Sequence, residues 1–122
     1  MEKESLKILV MDDENFIRDI LGKMLEYLGY RVQTTKRGKD AIEEYLSVHK
    51  KGKSFDLVIL DLVIPGGRNG IEVLEELKKI NPDIIAIASS GYSNENPEGF
   101  SAFLGKHYGV EDLKKALEDA TQ

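Results

Sequence analysis

Cysteine is absent from the 122 residues, so this chain has no disulfide framework, no thiolate metal centre and no cysteine nucleophile. No stretch approaches the roughly 18 apolar residues of a membrane-spanning helix, and the opening MEKESLKILVMDD has too short an apolar run for a signal peptide. Positive charge is in short supply. There are 17 Lys and Arg against 22 Asp and Glu, a formal net charge of −5, which is the wrong sign for broad nucleic-acid binding. The pattern Gly-x-x-x-x-Gly-Lys-Ser/Thr does not occur, which removes the nucleotide-binding loop. Disorder is excluded too, because 41 % hydrophobic and 32 % charged residues is an ordinary globular composition. The length suits one domain, residues 1–122, that buries about two-thirds of its unfolded surface. The expectation is a single cytoplasmic domain with no membrane contact and no nucleic-acid partner of its own.

Short apolar runs alternate with longer amphipathic stretches. Lys7-Ile8-Leu9-Val10-Met11 ends abruptly in Asp12 and Asp13 and reads as a strand buried on both faces. Ile17, Leu21, Met24 and Leu28 then recur at helical spacing until Gly29 stops them. Arg31 to Thr35 is a weaker strand, and Ala41, Ile42, Tyr45 and Leu46 mark a second helix. Leu57 to Leu60 is a third strand ending in Asp61, and the loop from Ile64 to Gly70 leads to a helix with Leu74, Leu77 and Ile80 inward. Ile84 to Ala88 is a fourth strand ending in Ser89 and Ser90. Phe103 and Leu104 form a short fifth strand before Gly105 and Lys106, and a closing helix turns Val110, Leu113 and Leu117 inward. Such alternation predicts a doubly wound α/β domain, a parallel sheet with helices on both faces.

In such folds ligands bind outside the carboxyl ends of the strands, and there the unusual polar residues fall: Asp12, Asp13, Asp61, Ser89, Ser90 and Lys106. Each alone has an ordinary explanation. An Asp after a strand makes a turn or caps a helix, a Ser before Gly turns the chain, and a lone Lys is solvated. Together they are harder to explain structurally, because three neighbouring acids repel and raise one another's pKa. A hard divalent cation relieves that strain, and Mg²⁺ takes a few carboxylates with waters and phosphate oxygens. Asp61 is then either a metal ligand or a nucleophile toward a phosphoryl group. Lys106 and a strand-end hydroxyl would hold that group's oxygens.

The pieces ILVMDDE (Ile8 to Glu14), LVILDLVIPGGRNGIEVLEEL (Leu57 to Leu77), SSGYS (Ser89 to Ser93) and FLGK (Phe103 to Lys106) resemble the receiver domain of two-component response regulators. The likeness covers essentially the whole chain. The Pro-Gly-Gly loop is similar to that of receivers attached to hybrid sensor histidine kinases. The resemblance implies a flavodoxin-like fold with five parallel strands. It implies that Asp61 accepts a phosphoryl group from a histidine kinase or phosphotransfer protein. Mg²⁺ is then held by Asp13, Asp61 and the backbone carbonyl of Val63, with Asp12 acting through a bound water. Ser90 corresponds to the switch hydroxyl, with Ser89 its rival if the strand is out of register by one. Phe103 falls at the switch aromatic, and Lys106 pairs with the phosphoryl group. Such a chain is a switch that signals to a downstream protein, and its only catalysis is directed at itself.

Two departures stand out. His107 follows the lysine where the family usually has a proline, commonly after a cis peptide. Only 15 residues separate Ser90 from Lys106, several fewer than the family usually has, and Ser93 to Gly99 is turn and breaker chemistry. The ten residues from Tyr92 to Ser101 must return along a strand about 17 Å long, and extended they reach about 33–36 Å at most. A three-turn helix would use all of them, so the fourth helix of the family is expected to be short or missing, which shortens the family's usual output face. Val63 and Tyr92 flank the path of an attacking water and position it poorly, so slow autodephosphorylation is expected. The competing readings are a degenerate receiver that only binds proteins and a phosphohydrolase of the haloacid dehalogenase type. The latter wants its nucleophile after the first strand and a second Asp two residues on, where Val63 stands. A flavodoxin-type flavin domain is disfavoured because three strand-end acids repel its phosphate.

Overall fold

The computed structural model describes residues 6–91, 96–106 and 108–122. In chain order the elements are β1 (Lys7–Met11), α1 (Asn15–Tyr27), β2 (Arg31–Thr35), α2 (Gly38–Lys50), β3 (Leu57–Asp61), α3 (Gly70–Ile80), β4 (Ala86–Ser90), β5 (Ala102–Gly105) and α4 (Val110–Thr121). All strand pairs are parallel, in the order β2-β1-β3-β4-β5. The chain moves outward from β1 to β2, then crosses back to β3 and continues the other way. The strand order therefore reverses between β1 and β3, whose carboxyl ends carry Asp12 and Asp61.

Strand alternation sends neighbouring side chains to opposite faces. Leu9, Met11, Val58, Leu60, Ala86 and Ala88 meet Tyr45 of α2 and Leu74 and Leu77 of α3 in one core. Ile8, Val10, Leu57, Ile59 and Ile87 meet Leu21 and Leu25 of α1 and Leu113 and Leu117 of α4 in the other. The central strands are buried on both faces and must be apolar throughout, whereas β2 is an edge strand and carries Arg31, Gln33 and Thr34 outward. The helix ends follow local chemistry. Gly29, at φ 97°, ends the α1 region. Asn69 and Glu72 form a capping box at the start of α3, with bonds of 3.0 and 3.1 Å.

Two observations refine the expectations from sequence. β4 begins at Ala86, two residues later than the apolar run suggested, because Ile84 N–H closes a turn onto the Asn81 carbonyl at 3.2 Å. The two serines consequently lie inside the strand. Between β4 and β5 the described residues contain no helix. A turn stands there instead, in which Phe100 N–H bonds the Pro97 carbonyl at 3.3 Å and Gly99 takes φ 94°. Phe100 is buried in the α2/α3 core, so one aromatic covers part of the sheet that a helix would have covered. Tyr92 and His107 lie outside the described residues, as does the Lys106–His107 peptide. No described helix is long and apolar enough to cross a membrane.

Candidate functional site

The site is assembled at the reversal of strand order. Asp12 continues the β1 ladder, its N–H on the Thr35 carbonyl at 3.1 Å. Its carboxylate is buried and accepts the Glu14 N–H at 2.9 Å. Arg18, one turn into α1, donates to the Asp12 carbonyl at 2.7 Å and also bonds the Asn15 side chain. Asp61 closes β3 and is 0 % exposed. One of its oxygens accepts Val63 N–H at 3.1 Å, the other the Lys106 ammonium at 2.9 Å. Gly70, the first residue of α3, lies so close behind Asp61 that a Cβ there would sit 2.7 Å from the Asp61 carbonyl oxygen. Lys106 follows β5, and its ammonium also lies 3.0 Å from Glu14 and 3.4 Å from Asp12.

Burial dominates the electrostatics. It pushes the Asp61 carboxyl up to about 6, against the Lys106 bond and the Val63 amide, and the Asp12 charge adds to the rise. Asp12 is raised as well, by burial, despite its bonds to the Glu14 amide and Lys106. Burial works against the charge on Lys106, yet its bonds to Asp61 and Glu14 hold its pKa above the ordinary lysine value. Asp12, Asp13 and Asp61 each place one carboxylate oxygen within 4.8 Å of the others. Three carboxylates contact the Lys106 ammonium and Asp13 adds a fourth beside two of them, which leaves excess negative charge in an all-oxygen setting. That donor set fits a hard divalent cation such as Mg²⁺.

The register separates the two serines. Ser89 pairs with Asp61, and Ser90 pairs with Gly105. By alternation Ser90 shares the face of Ala88 and Phe103, where Phe103 packs half-buried against the α2/α3 core. Ser89 falls on the opposite face with Ile87, and its buried hydroxyl has no hydrogen-bond partner among the described residues. The Tyr108 hydroxyl is likewise buried without a partner, and burial, with the Asp12 charge nearby, pushes it up to about 12. The structure thus brings Asp12, Asp13, Asp61 and Lys106, expected from the sequence at the strand ends, into one place, and its register puts Ser90 and Phe103 on one face. The reading from sequence assigned no part to Glu14, Arg18, Gly70 or Tyr108. For Glu14 the uninterrupted Asp-Asp-Glu run was the available signal.

Residues 8–118 match the response regulator receiver domain family, and this chain belongs to it. It is 31 % identical over 115 residues to the transcriptional regulatory protein CpxR homolog of Haemophilus influenzae, covering 93 % of this chain and 45 % of that protein. With the transcriptional regulatory protein ResD of Bacillus subtilis it shares 38 % identity over 98 residues, 79 % of this chain and 38 % of that protein. The chain thus spans less than half the length of these relatives. Among solved structures, a response regulator receiver domain protein from Clostridium thermocellum superposes with a TM-score of 0.80 at 30 % identity, covering 94 % of this chain and 93 % of that one. A chain of the complex between histidine kinase ThkA and response regulator protein TrrA gives 0.80 at 30 % identity, with 96 % and 99 % covered. Receivers are switches of two-component signalling rather than enzymes acting on metabolites.

Proposed function

We propose that this chain, residues 1–122, is one receiver domain that takes a phosphoryl group onto Asp61 from a histidine kinase or phosphotransfer protein and passes the signal to a downstream protein in the cytoplasm. The observation that carries this reading is a fully buried Asp61 held 2.9 Å from Lys106 beside the Asp12–Asp13 oxygens. A carboxyl raised to about 6 is still roughly nine-tenths ionised at pH 7, and it is a stronger nucleophile than a solvated aspartate. An Asp61 oxygen attacks phosphorus as the donor's phosphorus–nitrogen bond breaks, and the leaving imidazole keeps the electron pair. Lys106 moves from carboxylate to phosphoryl oxygen without leaving the site. Mg²⁺, when bound, neutralises charge on the transferring group, and Asp13, Asp61 and the Val63 carbonyl would hold it, with Asp12 acting through a water.

The added group brings roughly −1.5 to −2 charge and three acceptor oxygens. Ser90 turns toward one of them, and Phe103 follows on the same face. Phe16, 71 % exposed in the first turn of α1, offers the donor protein an apolar contact beside the site. Output passes by protein contact over a face on which the described residues between β4 and β5 form a turn and no helix. The test is intact mass after incubation with acetyl phosphate and Mg²⁺. One added phosphoryl group on wild type and none on Asp61→Asn is expected. No addition to wild type, even with a panel of kinases, would turn the reading to a receiver that only binds proteins.

A further inference from the structure

Beside the carboxylate cluster a cavity of about 670 Å³ opens between the β2–α2 and β3–α3 loops. Lys36, Arg37, Lys39 and Arg68 line it, with Asp13 the single acid at its rim. Four cations around one space are unexpected in a chain of net charge −5. None of the four makes a contact ion pair among the described residues, Arg68 acting on Glu76 only at longer range, and all four are exposed at the rim of the space. Other polar cavities mix charges of both signs. One against α1 sets Arg18 and Lys23 against Asp19 and Glu26, and one along α4 sets Lys115 between Asp112 and Asp119. Like charges held around a single void repel, and an anion inside it relieves the repulsion.

The backbone shapes this space. A Cβ on Gly38 would meet Val73 Cγ2 at 2.7 Å and Arg68 Cβ at 3.0 Å. The Arg68 loop therefore closes on the start of α2 only because residue 38 has no side chain. Gly66, at φ 73°, turns the opposite rim. Arg37 at the N-cap has no side-chain oxygen with which to accept from the first amides of α2, and Gly38 and Lys39 of that first turn line the same space. The volume lies within the roughly 300–1,000 Å³ range of small-molecule sites. A single phosphate, near −2, would leave half of the cationic charge unmatched.

We propose that this cavity binds a small polyanion carrying two or more phosphate groups, held by Lys36, Arg37, Lys39 and Arg68. Asp13 then stands between two sites of opposite sign, repelling the anion while belonging to the carboxylate cluster.

The test uses the full chain in metal-free buffer, with inorganic pyrophosphate as probe and orthophosphate at matched ionic strength as control. Amide chemical shifts are followed by NMR. Saturable shifts centred on Gly38, Lys39, Gly66 and Gly67 are expected, with orthophosphate about tenfold weaker or more. The double variant Lys39→Gln/Arg68→Gln should weaken pyrophosphate by at least about tenfold, with an unchanged circular dichroism spectrum. Asp13→Asn should tighten it, and Asp61→Asn should leave the shifts at these loops in place. Equal affinity for the two anions, indifference to the double variant, or shifts gathered instead around Lys106 would each overturn the proposal.

Discussion

Replacing Asp61 by Asn should make the protein more stable at neutral pH. A carboxyl raised from 3.8 to about 6 is one whose ionised form the fold disfavours. At about 1.4 kcal/mol per tenfold change in proton affinity, the penalty is about 3 kcal/mol once the group is ionised in both folded and unfolded states. The residue is fully buried, so little of that figure is lost to solvent. The sign follows from proton counting. Between pH 4 and pH 6 the unfolded chain has released this proton and the folded chain retains it, so wild-type stability falls through that window and then levels. An amide has the shape of the protonated carboxyl and carries no such slope. Lys106 keeps Glu14 and Asp12 as partners in the variant, so its charge is not stranded. The assay is urea unfolding followed by circular dichroism, since the chain has no tryptophan, at intervals from pH 4 to pH 8 without metal. The two proteins should agree near pH 4 and diverge by about 3 kcal/mol at pH 7 and above. A difference independent of pH, or a less stable Asn variant at pH 7, would refute the reasoning that burial governs this carboxylate.

Mg²⁺ should raise the melting temperature of wild type, since only the folded chain gathers the three carboxylates. A concentration one hundredfold above Kd corresponds to about 2.7 kcal/mol, and Asp13→Asn should abolish the rise in differential scanning calorimetry. Ser89→Ala deletes a buried hydroxyl that bonds to nothing among the described residues. It should gain about 1 kcal/mol, a rise of about 4 °C in melting temperature. Gly70→Ala drives a methyl into the Asp61 carbonyl and should cost about 2–3 kcal/mol, read from the urea midpoint, while also slowing phosphorylation because Asp61 is displaced.

How much was legible from residues alone varied with the reach of the contact. β1 and β2 fall on their expected residues, because an apolar run that stops at two aspartates, or at a turn, leaves little choice of end. β4 did not, since a run apolar on both sides of a turn carries no mark of where the ladder begins. α2 starts at Gly38, three residues before Ala41, the first of the apolar residues that mark it in the sequence. Glycine is a poor helix former, and only the close approach of Val73 and Arg68 explains it there. Asp12, Asp61 and Lys106 were readable as a group because a parallel sheet brings strand ends together. The bond between Lys106 and Glu14 joins residues 92 apart in the chain, and no local pattern announces it. The same holds for the cations of the β2–α2 loop and Arg68. Which serine faces the α3 side depended on register, a property of two strands together.

The contact between Gly70 and the Asp61 backbone has a mechanical consequence. α3 is 11 residues long, about 16 Å at 1.5 Å per residue, and it rests by its first residue on the residue proposed to take the phosphoryl group. Nothing compressible separates them, so the helix stands like a rod on a pivot. A tilt of about 4° at Gly70, too small to disturb the sheet, carries Ile80 through about 1 Å at the far end. Adjustments too slight to notice at the carboxylate would therefore be written largest at the opposite end of the molecule, around Asn81 and the turn that follows it.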